Sequence, residues 1–386
     1  MKASEAKMLD LLYRSRQFII PIFQRTYSWT ERECKQLWDD IVRVGNQDQV
    51  SAHFVGSIVY IEQGLSQATR RSPFMIIDGQ QRLTTLSLIL EALSRQLNGH
   101  EPLEGFSSEK IRHDYLLNIV EHGDKRYKLL LTQTDKDSLI SVVDRQDYPE
   151  EFSYRIKENF DFFMEQIRSE SNNLDIVCKG LDKLTVVDIS LDRNQDNPQL
   201  IFESMNSTGL ELSQADLIRN FVLMGMNQDQ QTSLYKSHWR PMEVAFGQEA
   251  YGKLFDGFMR HYLTLKTGDI PKINKVYEAF KAYYHRPEIV EKGVGALVAD
   301  IHVYAGYYCA MALGKEKNQK LALAFRDLQD LRVDVAYPFL LELYYDWKQG
   351  LLSLDEFELI IRLVESYVFR RAVCNIPTNS LNKTFA

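Results

Sequence analysis

Short apolar runs alternate with helically spaced apolar residues through the first half of the chain, and helical spacing alone fills the second half. Residues 1–16 carry Met8, Leu11 and Leu12 on one side, which predicts a first amphipathic helix. The aromatic and β-branched run from Phe18 to Trp29 is interrupted by Pro21 and reads as an edge strand or ordered loop. Thr30-Glu-Arg-Glu33 is a capping box, and Cys34, Leu37, Trp38 and Ile41 continue the helix behind it. His53 to Ile61 reads as a strand, 63–71 as a polar loop, and Phe74 to Ile77 as a second, buried strand antiparallel to the first. After the Asp78-Gly79 turn, Leu83, Leu86, Ile89, Leu90, Leu93 and Leu97 recur at helical spacing. That turn is expected at the edge of a small sheet.

From 107 to 168 the pattern is mainly helical, with a short strand expected at 127–131 and a core stripe of Phe152, Ile156, Phe160, Phe163 and Ile167. Leu184 to Leu191 is another strand. A helix ends near Met205-Asn206, Ser207-Thr208-Gly209 form a loop, and Ser213 to Asp216 cap a further helix. Beyond Met226 the text becomes a succession of amphipathic helices broken at Pro271, Pro287 and Gly314. The fold class expected is α+β: a small mixed sheet with helices over 1–226, then an all-α helical domain over 227–386.

The chain has 386 residues, 45% of them hydrophobic and 26% charged, as a sizeable core requires. Its formal net charge of −7 excludes a basic nucleic-acid coat. DNA contact would need a local patch, for which Arg260, Lys266, Lys272 and Lys275 are the candidates, or a partner carrying the charge. The four cysteines, Cys34, Cys178, Cys309 and Cys374, are far apart, which argues against zinc-finger spacing and a disulfide framework. No apolar run approaches 18 residues and the N-terminus lacks an apolar signal region, so a cytoplasmic protein without a membrane span is expected. Phosphate-loop, Rossmann, H-E-x-x-H and G-x-S-x-G patterns are all missing.

The chemistry concentrates where the strand ending at Ile77 turns into a helix. A helix start exposes unpaired N–H groups and the positive end of the peptide dipoles, which suits phosphate. Gly79 lets the backbone come close, and Arg82 offers a fork of donors. Upstream, Gln24 and Arg25 are polar residues inside an apolar run and need partners, which a ligand could supply. From the residues alone, an Asp-Gly turn between core elements, with Arg82 in a surface ion pair, stays open beside this reading.

Three stretches taken together narrow it. Ile20-Pro-Ile-Phe-Gln-Arg-Thr-Tyr-Ser-Trp29, Ile77-Asp-Gly-Gln-Gln-Arg-Leu-Thr-Thr85 and Phe202-Glu-Ser-Met-Asn-Ser-Thr-Gly-Leu210 resemble the signature motifs of the GmrS-type N-terminal domain. That domain belongs to GmrSD modification-dependent (type IV) restriction proteins and related phage-defence proteins, and is similar in fold to the ParB/sulfiredoxin group. The resemblance implies binding and hydrolysis of a nucleoside triphosphate with Mg2+, coupled to control of DNA cleavage. By the same resemblance, Gln24 and Arg25 would line the nucleotide pocket. Asp78, Gly79, Gln80, Gln81 and Arg82 would form the phosphate cradle, with Thr84 beside it. Asn206, Thr208 and Gly209 would form the facing loop. Asp78 would take Mg2+, and Gln80 or Gln81 would orient the attacking water.

The implied partners are modified double-stranded DNA and a His-Asn-His-type nuclease, with room for a homo-oligomer. No such nuclease motif occurs here, so a separate subunit would supply it, or the chain is a fragment of a longer nuclease. The rival expectations are a sensor of nucleotide or modified DNA without turnover, and a ParB-like nuclease.

Overall fold

A computed structural model describes residues 1–386 apart from 16, 63–72, 98, 171–172, 193–195, 207–211, 225, 378–379 and 386. The chain forms two compact units, 1–208 and 209–386.

In the first unit the elements run β1 (Lys2–Lys7), α1 (Met8–Arg14), β2 (Phe18–Ile19), α2 (Glu31–Gly45), β3 (His53–Glu62), β4 (Phe74–Asp78) and α3 (Gln80–Gln96). They continue through α4 (Ser108–Ile111), β5 (Leu129–Leu130), α5 (Gln133–Asp144), α6 (Tyr154–Ser169), α7 (Leu174–Asp182), β6 (Leu184–Leu191) and α8 (Pro198–Asn206). The strands make one mixed sheet in the order β1-β6-β3-β4-β2-β5. β3 is antiparallel to β4 and parallel to β6, while β2 runs parallel to both of its neighbours, β4 and β5. Consequently β4, β2 and β5 all end on the same side of the sheet, where a ligand crevice of a parallel arrangement forms.

The sequence reading differs from this sheet in two places. Lys2–Lys7 is a strand and not the start of a helix, because it pairs along its whole length with β6 as an exposed edge. Its alternation of charged and small residues carries no apolar signal, so tertiary pairing overrides helical propensity. The Asp78 turn does not sit at a sheet edge either. β3 and β2 flank β4, with β5 beyond β2, and at two residues each β2 and β5 are too short to show a period. They are fixed by long-range backbone bonds, Phe18 N–H to the Lys128 carbonyl at 2.6 Å and Phe74 N–H to the Gln17 carbonyl at 2.8 Å.

Helix α3 is the centre of the unit. From Leu83 to Ser94 every residue is buried, so α3 has no solvent face and packs on α4, α5 and α6. Glu91 is fully buried within it and binds three guanidinium groups: Arg95 Nε at 2.9 Å, Arg112 Nη1 at 2.5 Å and Arg145 Nε at 2.9 Å. That cluster ties α3 to the segment after α4 and to the end of α5. Helices α2 and α7 cross at a pair of glycines: a Cβ on Gly45 would lie 2.0 Å from the Ile176 carbonyl oxygen, and one on Gly180 2.1 Å from that of Ile41. The expected capping box starts α2, with Thr30 N–H donating to Glu33 Oε2 at 2.8 Å. The stripe at Ile156, Phe160, Phe163 and Ile167 is core as expected, while Phe152 lies before α6 and is partly exposed.

The second unit is helical throughout its described residues. It comprises α9 (Gln214–Met224), α10 (Gln228–Leu234), α11 (Arg240–Phe246), α12 (Gln248–Thr267), α13 (Val276–Tyr284), α14 (Pro287–Ala312), α15 (Gln319–Asp330), α16 (Tyr337–Lys348), α17 (Leu354–Val373) and α18 (Leu381–Thr384). A positive φ at Gly293 breaks α14. α9 packs inside the second unit. Asp256 of α12 accepts its Gln214 and Ala215 N–H groups at 3.1 and 2.7 Å, and Phe221 stacks edge-on against Tyr277, Phe280 and Tyr284. Three residues of the candidate basic patch have partners within the unit: Lys266 pairs with Asp300, Lys275 with Glu278, and Arg260 donates to the Pro271 carbonyl.

Candidate functional site

Three chain segments converge where β2, β4 and β5 end. Ile20, Arg25 and Tyr27 follow β2; Gln80, Gln81 and Thr84 lie in the first turns of α3; and Leu131, Thr132 and Asp135 lead from β5 into α5. Together they line a small pocket. The starts of two helices, of seventeen and twelve residues, face it. Each contributes a positive dipole end of about half an elementary charge. In α3 the first ladder bond is Leu83 N–H to the Gly79 carbonyl, which leaves the N–H groups of Gln80, Gln81 and Arg82 outside the ladder.

Gly79 makes this entrance possible. Its φ is +96°, and a Cβ there would lie 2.4 Å from Ile58 Cδ1 and 2.9 Å from the Ser57 carbonyl oxygen. Only glycine accommodates both the left-handed conformation and the close approach to β3.

Arg25 is the group that gives the pocket its character. Its Nε is buried without a hydrogen-bond partner. A buried donor left unsatisfied costs about 1–3 kcal/mol. Asp135 lines the same pocket. Asp135 is 4% exposed and accepts the Tyr27 N–H at 2.5 Å. Tyr27 is further fixed through its hydroxyl, 2.7 Å from Thr85 Oγ1 and 3.1 Å from the donating Asn159 Nδ2. Burial, then Cys34, pushes the Tyr27 phenol well above its ordinary range, so it stays protonated.

The two adjacent glutamines have different surroundings. Gln81 Oε1 accepts the N–H groups of Ser28 and Trp29 at 2.9 and 3.3 Å, and its Nε2 donates to the Thr26 carbonyl at 3.3 Å. Its carboxamide is thereby committed to the backbone of 26–29. Gln80 is 8% exposed, lines the pocket, and has no side-chain hydrogen-bond partner among the described residues.

The other sequence-predicted residues surround this pocket without lining it. Gln24 is buried and donates Nε2 to the Ile77 carbonyl at 2.8 Å, stapling the first motif to β4. Asp78 ends β4, half-buried. Arg82 turns toward β3, where Nη1 donates to the Ser57 carbonyl at 3.1 Å and the guanidinium covers Gly56, whose Cβ would lie 2.7 Å from its central carbon. α8 packs against β4. The side chain of Asn206, and Thr208 and Gly209, lie outside the described residues.

A family model described as the GmrSD restriction endonuclease N-terminal domain matches residues 8–223, more than half of the chain. The chain belongs to the GmrSD N-terminal domain family. A protein of Methanocaldococcus jannaschii, described only as uncharacterized, is 24% identical over 236 residues. The match takes in 55% of this chain and 40% of that protein, so the chain spans less than half of this relative's length. The GmrSD match covers all three motifs and runs through α9, across the division between the two compact units.

Other chemistries find no support among the described residues. No three His, Cys, Asp or Glu side chains are grouped to hold a metal ion, and no helix is long and apolar enough to cross a membrane. Burial pushes the thiols of Cys34, Cys178 and Cys309 up to about 11, 12 and 12, which makes them poor nucleophiles. Thr132 and Asp135 went unnoticed in the sequence, although Thr-x-x-Asp before an apolar stretch is a helix-start signal in its own right.

Proposed function

We propose that this GmrSD-family chain is a nucleoside-triphosphate-binding and hydrolysing module of a modification-dependent DNA restriction system, which regulates cleavage by a nuclease domain or subunit. The single observation that supports this most is the buried, unpartnered Nε of Arg25 in a pocket faced by two helix starts. An anionic guest there recovers a buried hydrogen bond and gains the dipole field of both helices.

Phosphoryl transfer depends mainly on positioning and charge neutralisation. Arg25 and the N–H groups of Gln80, Gln81 and Arg82 hold phosphate oxygens in place. Gln80 orients the attacking water with its uncommitted carboxamide, while Gln81 keeps the 26–29 segment, and with it the approach of Tyr27, in position. Thr84 closes the floor, its hydroxyl bonded to the Gln80 carbonyl at 2.9 Å. Mg2+, when bound, neutralises charge on the phosphates, and Asp78 at the end of β4 is the carboxylate that the motif offers for it. Modified double-stranded DNA and a His-Asn-His-type nuclease are the partners this reading requires.

The test is phosphate release from ATP, GTP, CTP and UTP by the wild type, Gln80→Ala and Arg25→Ala. The reading expects turnover of at least one triphosphate by the wild type and a loss of about a hundredfold in either variant, the scale of a missing transition-state contact. Equal turnover in all three proteins would contradict it. Tight nucleotide binding without turnover would leave the sensor alternative.

A further inference from the structure

We propose that His238 and His302 form a two-histidine site for a divalent ion of the zinc class, set in the helical unit and independent of the nucleotide reading. The two side chains come from separate segments: His238 from the π-helical turn Tyr235–Trp239 between α10 and α11, and His302 from α14. Their Nδ1 atoms lie 3.3 Å apart, and the rings meet edge to face at 73°. That separation is at the long end for a hydrogen bond. It matches the edge of a tetrahedral site, since two nitrogens each about 2.0–2.1 Å from a zinc ion are roughly 3.3–3.4 Å apart.

The scaffold presents both rings from anchored backbone. Arg240 N–H donates to the Tyr235 carbonyl five residues back, the bond that defines a π-turn, and such turns recur at functional sites. Both ends of the turn are tied down. Trp239 is fully buried and its Nε1 donates to the Tyr251 hydroxyl at 3.0 Å, while the buried Tyr235 donates its hydroxyl to Glu243 Oε2 at 2.6 Å. His302 follows the fully buried Ile301 on α14. Both imidazoles are themselves only half-buried, which leaves them open to an ion from solvent. Burial, then His238, lowers the His302 pKa and keeps that ring in the neutral form that coordination requires. Imidazole suits Zn2+, Cu2+ and Ni2+, whereas Mg2+ takes oxygen ligands, so this pair is not a second seat for the Mg2+ of a nucleotide. No third His, Cys, Asp or Glu is grouped with them among the described residues, which gives the remaining positions to water or to a group from a partner. On binding, the proton shared in the Nδ1 contact moves to Nε2 of its own ring, and both Nδ1 lone pairs face the ion. The ion thereby clamps the π-turn to α14.

The experiment is calorimetric titration of the full chain with ZnCl2 in chelator-free buffer, beside thermal melts with and without the ion. Two protein ligands supply about half the binding free energy of a four-ligand structural site, which sets a dissociation constant of about 1–200 µM. Wild type is expected to show a site in that range and a melting temperature raised by the ion. His238→Ala and His302→Ala are each expected to weaken that site by about tenfold or more and to abolish the rise. His113→Ala, which removes an exposed histidine paired with Asp114, is expected to leave both unchanged. Wild-type affinity retained in either His238→Ala or His302→Ala, or no binding by wild type at about 1 mM Zn2+, would overturn the proposal. Should either variant not fold, carbethoxylation of wild type with diethyl pyrocarbonate, followed by peptide mapping, reads the site directly. Saturating Zn2+ is expected to slow modification of His238 and His302 by about tenfold relative to His113. Equal rates with and without the ion would overturn it.

Discussion

The carboxamide oxygen of Gln81 accepts the backbone N–H of Ser28 at 2.9 Å, so the first turn of α3 holds the first motif in place. The two motifs are thus mechanically linked, with Gln81 as the latch and Arg25 immediately before the latched segment. Gln81→Ala removes an acceptor shared by two N–H groups and a donor to the Thr26 carbonyl. The expected cost is about 1–3 kcal/mol of stability. Nucleotide affinity should fall because Arg25 loses its fixed approach. Denaturant unfolding and nucleotide titration of the same sample check both effects.

The crossing of α2 and α7 admits no side chain at two positions. Gly180→Ala would place a Cβ 2.1 Å from the Ile41 carbonyl oxygen, a backbone atom that cannot turn aside. The expected destabilisation is about 1–3 kcal/mol or more. Gly257→Ala on α12, where a Cβ meets nothing within 4 Å, should be neutral or stabilising by up to about 1 kcal/mol. Urea unfolding of the two variants beside wild type separates close packing from helix propensity.

Glu91 pairs with Arg95, Arg112 and Arg145, and it is fully buried while they are partly exposed. Glu91→Gln leaves three guanidinium groups converging on a neutral amide. The expected loss is about 3–5 kcal/mol, the scale for breaking a buried charge cluster from one side. Hydrogen exchange should then show α3 and the end of α5 opening together.

In the helical unit, burial and then the neighbouring Arg260 hold the His261 imidazole down to about 4, against an ordinary value of 6.5. Below pH 6.5 the unfolded chain takes up a proton that the folded chain refuses until about pH 4. This contribution to stability is therefore complete above pH 6.5 and lost as pH falls through that window. The loss approaches about 1.4 kcal/mol per pH unit. Unfolding measured at pH 7.5 and 5.0 should show a smaller acid loss in His261→Phe than in wild type.

The long elements were legible because they carry strong periods: β3, β4, β6 and α3 all lie where the apolar spacing puts them. β2 and β5 were not, since two-residue strands owe their existence to backbone partners more than fifty residues away. Without them the parallel triplet could not be read, nor the fact that α5 starts beside α3. That is why Asp135 escaped notice while Gln80, Gln81 and Arg25 did not. The paired glutamines were indistinguishable as letters; only the backbone of 26–29, folded against one of them, tells them apart. Arg82 has the composition of a phosphate ligand, but the bulge in β3 and the missing Cβ of Gly56 give its guanidinium a place against the sheet.

The most direct measurement is the affinity of the full chain for a non-hydrolysable triphosphate analogue in the presence of Mg2+, compared between wild type, Arg25→Ala and Arg82→Ala. The pocket account predicts binding by wild type and a loss of about tenfold to a hundredfold in Arg25→Ala, matching the roughly 1.5–3 kcal/mol of a charge-assisted hydrogen bond. Arg82→Ala should lose less. Wild-type affinity in Arg25→Ala would contradict the account.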